Sequence, residues 1–222
     1  MSKYDFNNAA DTYDNWYNTD FGKKIDFFEK RVFKKYLDKF SSKTILEIGS
    51  GTGHWSRVLS ENGFFVLGVD IADKLIEIAN SKNIPFTTFI NSDVLSLPYN
   101  SETIENVVAV TSLEFVADKN KAFDEIYRVL KKDACLLIGA INAYGSLAYE
   151  RENNSVFENC SPFTNASLYE RLKVIGEPEI EGCALFPDGK NNLIKAEEIE
   201  LNANQEQLNN KGNFLVGFVR KK

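Results

Sequence analysis

Cysteine is scarce in this sequence. Cys135, Cys160 and Cys183 are odd in number, far apart and form no CxxC pair. That pattern argues against a disulfide scaffold and a zinc ribbon, predicts no metal site, and fits a reduced, cytoplasmic setting. Long apolar runs are missing too: none approaches the ~20 residues of a membrane span, so no span is expected. Met1-Ser2-Lys3-Tyr4-Asp5 has neither the apolar core nor the small-residue cleavage site of a secretory signal. A long lysine/arginine cluster is also absent. The net charge is −6, and the short Arg220-Lys221-Lys222 reads as a solvated end. Because a basic face is the usual footprint of nucleic-acid binding, no nucleic-acid partner is expected.

What is present is ordinary globular material: 222 residues, 43% hydrophobic and 26% charged. The length favours one domain over residues 1–222, with a lobe or cap. Ile25, Phe28, Val32, Tyr36 and Phe40 recur at helical spacing, with Thr19 or Asp20 as the cap. Strands and helices then alternate. Strands are predicted at Thr44–Ile48, Phe64–Val69, Pro85–Ile90, Ile104–Thr111 and Ala134–Ala140, and helices at His54–Asn62, Ala72–Ser81 and Asn120–Lys131. Apolar strands alternating with helices predict an α/β fold with a buried parallel sheet. After Ala140 the pattern weakens. Residues 142–163 read as a cap segment. A helix capped by Thr164 or Asn165 follows, then a strand Glu179–Phe186 and a turn at Pro187-Asp188-Gly189-Lys190. Next comes a thin stripe of Ile194, Leu201 and Leu208, and the last strand is Asn213–Val219.

The chemistry gathers at Glu47-Ile48-Gly49-Ser50-Gly51-Thr52-Gly53, where the first strand runs into a glycine loop that opens a helix. Such a loop permits close backbone approach, and a helix start offers N–H groups to an acceptor. Ligands of open α/β sheets bind at the carboxyl ends of the strands. There, Asp70 ends the second strand, 21 residues beyond Gly49, and Asp93 follows the third. Asp70 can accept from two ribose hydroxyls and Asp93 from an exocyclic amine, which points to an adenosine ligand. A dinucleotide fingerprint would place its third glycine where His54 stands. Glu47 suits a ligand that carries an ammonium group and a sulfonium, which favours S-adenosylmethionine over NAD.

At these residues the chain resembles the class I S-adenosylmethionine-dependent methyltransferases. Glu47–Gly53 matches their E/D-x-G-x-G-x-G motif, Val69-Asp70-Ile71-Ala72 resembles the second motif, and Ser92-Asp93-Val94-Leu95-Ser96-Leu97-Pro98 the third. The resemblance covers about residues 43–141 and is strongest to the small-molecule, ubiquinone/menaquinone-biosynthesis-like group. Tyr13-Asp14-Asn15-Trp16 resembles the opening of some members. It implies a Rossmann-like three-layer sandwich with a seven-stranded, mostly parallel sheet and an antiparallel last strand. The implied divisions are an N-terminal helical lid (1–41), a cofactor-binding core (43–141), and a cap with C-terminal strands (142–222). By position, Gly49, Ser50, Gly51 and Gly53 would line the methionine moiety. Asp70 would hold the ribose, Ile71 would lie against the adenine, and Asp93 and Val94 would read the adenine edge. Thr111, Ser112 and Leu113 would floor the site, and Tyr13 would fold over it.

The resemblance implies methyl transfer to a small-molecule acceptor, with S-adenosylhomocysteine as product. Because the leaving group is already activated, alignment and water exclusion are the main demands, and no catalytic residue is assigned. His54 is a weak candidate base; Glu114, Tyr144 and Tyr149 are acceptor-site candidates. Thr111-Ser112-Leu113-Glu114 stands where amino methyltransferases of nucleic acid carry Asn/Asp-Pro-Pro-Tyr, and no Pro-Cys dipeptide is present. The alternatives are a non-catalytic sensor of S-adenosylmethionine and an NAD-dependent oxidoreductase.

Overall fold

Strand β1 (Thr44–Ile48) has four consecutive buried residues, as a strand covered on both faces must. The computed structural model describes residues 6–146, 160–185 and 193–222. The other strands are β2 (Phe65–Asp70), β3 (Thr87–Asn91), β4 (Ile104–Val110), β5 (Leu130–Ile141), β6 (Glu179–Cys183) and β7 (Phe214–Arg220). They form one seven-stranded sheet in the order β3-β2-β1-β4-β5-β7-β6. β7 runs antiparallel to both β5 and β6, so among the described strands it alone is reversed.

The helices are α1 (Asn15–Asn18), α2 (Asp20–Leu37), α3 (His54–Glu61), α4 (Asp73–Ser81), α5 (Lys119–Val129), α6 (Asn165–Lys173), α7 (Leu193–Asn202) and α8 (Gln205–Lys211). Alternate strand residues face opposite layers. Leu46, Val107, Leu136 and Leu215 pack against Ile126 of α5 and Leu168 of α6. Ile45, Val108, Leu137 and Val216 pack against Phe28 and Phe33 of α2 and Trp55 and Leu59 of α3. The result is the expected three-layer α/β sandwich. Helix α2 belongs to one of its layers, so the cover over the cleft described below comes from the segment before it.

Several boundaries differ from the sequence reading, each for a local reason. The helix expected to reach Lys131 stops at Val129, because Leu130 pairs with Ile104 in the sheet. β3 starts at Thr87: Pro85 has no N–H, and Phe86 takes φ of 58°. β6 ends at Cys183, where Ala184 has φ of 61°. Ile194 and Leu201 do not form a packed stripe. They are 70% and 77% exposed, while Ala196 and Glu200 carry the buried face of α7, with Glu200 accepting from Arg31 at 2.7 Å. Both caps expected of Thr19 and Thr164 are formed. Tyr149, Phe186 and the turn Pro187–Lys190 lie outside the described residues, as do residues 147–159 of the cap segment. The described flanks of that segment meet where Asn142 bridges Phe163 and Ala143 N–H donates to Phe163 O at 2.7 Å.

Candidate cofactor site

The strand order changes direction between β1 and β4, and a cleft opens at the carboxyl ends of β1, β2 and β4. It encloses about 720 Å³ counting its open mouth, within the usual span of small-molecule sites.

The glycine loop forms one wall. Gly49, Gly51 and Gly53 have φ of 71°, 53° and 84°, a region that side-chain-bearing residues rarely occupy. At Gly49 space is decisive as well: a Cβ there would stand 2.2 Å from Ser112 Cβ. The loop amides, expected to be free, are largely engaged. Gly49 and Ser50 N–H both donate to Val69 O at 2.8 and 3.0 Å, Gly53 N–H donates to Ser50 O at 2.9 Å, and Gly51 N–H donates to Asp70 Oδ2 at 2.9 Å. The loop is thus tied to the end of β2. Gly49 and Gly51 line the cleft, whereas Gly53 starts α3 against Ile84, outside it. Ser50 also lies outside, packed on β2 near Gly68; its buried Oγ has no partner among the described residues.

The three acids divide the work. Asp70 lines the cleft, and its Oδ1 accepts from Ala72 N–H at 2.9 Å. Burial holds its carboxyl above the usual range, opposed by the Ala72 and Gly51 N–H groups. Each oxygen retains accepting capacity. Asp93 lines the cleft beside Val94 and caps a short turn, its Oδ1 accepting from Leu95 N–H at 2.9 Å. Glu47 is elsewhere: it is 1% exposed beneath the loop, accepts from Ser56 Oγ of α3, and does not line the cleft. Burial pushes its pKa up to about 8, so at neutral pH it is largely uncharged. A role as counter-charge to the ligand does not follow from that placement.

The end of β4 supplies the floor. Thr111, Ser112 and Leu113 all line the cleft, and Ser112 Oγ donates to Ile48 O at 2.9 Å. Thr111 has φ of 43°, unusual strain for a β-branched residue, with its N–H fixed to Gly139 O at 2.8 Å. Strain of this kind gathers at functional sites.

The N-terminal segment covers the mouth. Tyr13 lines the cleft over Gly51, and Phe6 meets both Tyr13 and Phe115 edge to face. The cover is fastened on both sides. Asp14 accepts from Thr52 Oγ1 at 2.5 Å and from Lys82 Nζ at 2.6 Å, while Asn7 reaches α4. His54 belongs to this fastening. It stacks on Tyr17 at 3.6 Å and meets Asp26 through Nε2 at 2.7 Å, outside the cleft. Tyr144 is 60% exposed and does not line the cleft either.

Ile71, with Leu75 and Leu95, supplies apolar walls. Sequence reasoning missed Phe6, Leu75 and Val116. Leu75 had a signal, since it lies three residues after Ala72 on one helix face. Phe6 had none, because only the folded chain brings it to Phe115.

Comparison with known proteins agrees with this geometry. Residues 46–138 match a family model described as a methyltransferase domain. An uncharacterised Methanocaldococcus jannaschii protein is 29% identical over 180 residues, 79% of this chain and 82% of that one. A Klebsiella pneumoniae ubiquinone/menaquinone biosynthesis C-methyltransferase is 27% identical over 197 residues, 83% of this chain and 71% of that one. The crystal structure of a Thermotoga maritima SAM-dependent methyltransferase, described as a possible histamine N-methyltransferase, superposes with a TM-score of 0.78 at 20% identity, covering 98% of each chain. With its glycine loop and acid-lined cleft, the chain carries a match to a methyltransferase domain over residues 46–138 and is similar to S-adenosylmethionine-dependent methyltransferases.

Proposed function

We propose that the cleft at the ends of β1, β2 and β4 binds S-adenosylmethionine and that the chain transfers its methyl group to a small-molecule acceptor. The observation that carries this reading is Asp70, fixed between Gly51 N–H and Ala72 N–H at the edge of the cleft. A carboxylate so oriented, with accepting capacity left, suits a vicinal diol. Asp93 suits the adenine amine, with Ile71, Leu75 and Leu95 as apolar walls. Gly49 and Gly51 let the methionine end approach main chain, and Tyr13 closes over it. These residues fit the cofactor in polarity and placement.

When bound, the cofactor supplies a methyl group on a positively charged sulfur, whose departure as a neutral thioether needs no acid. The residues then orient and enclose. Thr111 and Leu113 shape the floor, and Tyr13 with Phe6 excludes water. We take the described flanks of residues 142–163 as the edge of the acceptor side, within a single methyltransferase domain spanning 1–222.

Calorimetry tests the reading. S-adenosylmethionine and S-adenosylhomocysteine are expected to bind and NAD not to. Asp70→Ala should weaken S-adenosylhomocysteine by at least about tenfold, the loss of one or two hydrogen bonds to a charged group. Unchanged affinity in that variant would remove the ribose assignment, and NAD binding without sulfonium binding would remove the whole reading.

A further inference from the structure

We propose that Lys82 is a positioning residue for the cofactor cleft: with Asp14 and Thr52 it latches the N-terminal cover onto the glycine loop and so sets how fast cofactor and product exchange. This rests on the cofactor-binding reading above. Cover and loop meet in register. Tyr13 lies over Gly51, its ring edge and hydroxyl 3.8 and 4.0 Å from where a Cβ on Gly51 would stand. The next residue on each side forms the latch. Asp14 Oδ1 accepts from Thr52 Oγ1 at 2.5 Å, and its Oδ2 accepts from Lys82 Nζ at 2.6 Å. The same ammonium donates to Thr52 O at 2.7 Å, which closes a ring of three groups from the cover, the loop and the end of α4.

Asp14 forgoes its ordinary local role to do this. It stands at the N-cap of α1, where an aspartate carboxylate usually accepts from the N–H groups of its own helix, yet its side chain makes no capping bond. Lys82 stands at the C-cap of α4, where a cation commonly serves the last carbonyls of its helix, and its ammonium reaches Thr52 O of the loop. Thr52 is 1% exposed, and Gly51 beside it is bonded to Asp70. The latch therefore fastens the cover to a fixed part of the cleft wall. Burial acts to raise the Asp14 carboxyl, but the bonds from Lys82 and Thr52 outweigh it and hold the carboxyl below its usual range.

Neither Lys82 nor Asp14 lines the cofactor cleft. Both border a separate polar recess with Tyr17, Asp26 and His54, which encloses about 690 Å³ counting its open mouth. Their side chains are 25% and 43% exposed, so salt ions reach the pair without entering the cleft. A ligand beneath Tyr13 leaves only when the cover lifts, and lifting it parts Asp14 from both partners. A half-exposed ion pair alone is weak. Here it is joined to hydrogen bonds on a buried residue, so several contacts must break together before exchange.

The test follows release of tritiated S-adenosylhomocysteine from the full chain after an unlabelled chase. Lys82→Met should speed release roughly three- to tenfold. Asp14→Asn should do the same, and the double variant should release no faster than the faster single one, because both substitutions break one latch. Lys82→Arg, which restores the cation, should return release to within about twofold of the wild type. Raising salt from roughly 0.05 to 0.5 M should speed release from the wild type but not from Lys82→Met, a signal that a merely structural role for Lys82 would not produce. The proposal is overturned if Lys82→Met and Asp14→Asn release at the wild-type rate, or if their effects add in full. It is also overturned if Lys82→Arg is as fast as Lys82→Met, or if the salt dependence survives in Lys82→Met. If the wild-type chain fails to bind S-adenosylhomocysteine, the cofactor reading falls, and this proposal with it.

Discussion

The side-chain oxygen of Asn7 accepts the N–H of Lys74 at 3.0 Å, so a residue distant in sequence caps a helix that lacks a side-chain cap of its own. The same segment carries Phe6 and Tyr13 onto the cleft. The segment that covers the cleft therefore also completes α4. Asn7→Ala should cost about 1 kcal/mol of stability, the usual worth of an N-cap, and weaken S-adenosylhomocysteine several-fold. Urea unfolding and calorimetry on one preparation would check both; loss of stability with unchanged affinity would separate the two roles.

Gly49→Ala should be severe. Its φ of 71° strains any side chain, and the added Cβ would stand 2.2 Å from Ser112 Cβ. The strand ends must part by an ångström or more, displacing the floor of the cleft. We expect at least tenfold weaker cofactor binding and a marked loss of thermal stability. Adding Ser112→Gly should recover part of the stability, since it removes the clash but not the backbone strain.

Glu47 gives a pH signature. Burial pushes its folded-state pKa up to about 8, against about 4.3 in an unfolded chain. Below the unfolded value both states hold the proton, and the contribution to stability is complete. As pH rises between the two values, the unfolded chain loses its proton while the folded chain keeps it, so stability falls, levelling off above the folded value. Glu47→Gln retains a partner for Ser56 and removes this slope. The variant should gain on the wild type between pH 5 and 8.5, by an amount on the order of a few kcal/mol. Parallel denaturant titrations at the two pH values would show it; identical slopes would place the ionisation elsewhere.

Thr111 is a further test of strain. Its φ of 43° suits asparagine better than a β-branched residue. Thr111→Asn should stabilise the chain by about 1 kcal/mol, while Thr111→Val, which keeps the branch, should not. A melting-temperature series reads the ranking directly.

Much of this was legible in the sequence, and the legible part is local. Gly49, Asp70 and Asp93 sit at fixed offsets from strands whose apolar runs mark them, so their place at one end of the sheet follows from topology. Glu47 was harder. Its spacing is that of a ligand residue, but strand alternation turns it toward Ser56 and away from the cleft. The stripe through Ile194 and Leu201 failed because α7 packs through Ala196 and Glu200, and a half-buried ion pair leaves no apolar period to read. Phe6 and Asn7 act through partners far along the chain, Phe115 and Lys74, and no window of neighbouring residues contains that information.

Strand β7 lies between β5 and β6, and its seven residues, Phe214–Arg220, give β5 its second neighbour. During synthesis on the ribosome, β1, β2 and β4 can assemble long before that neighbour emerges. In the interval β5 presents Cys135, Leu136, Leu137 and Ile138 along an open edge, the kind of surface that captures other strands. The nascent chain is thus most exposed to aggregation after its cofactor cleft can form, and a bound ligand in that cleft cannot shield the vulnerable edge.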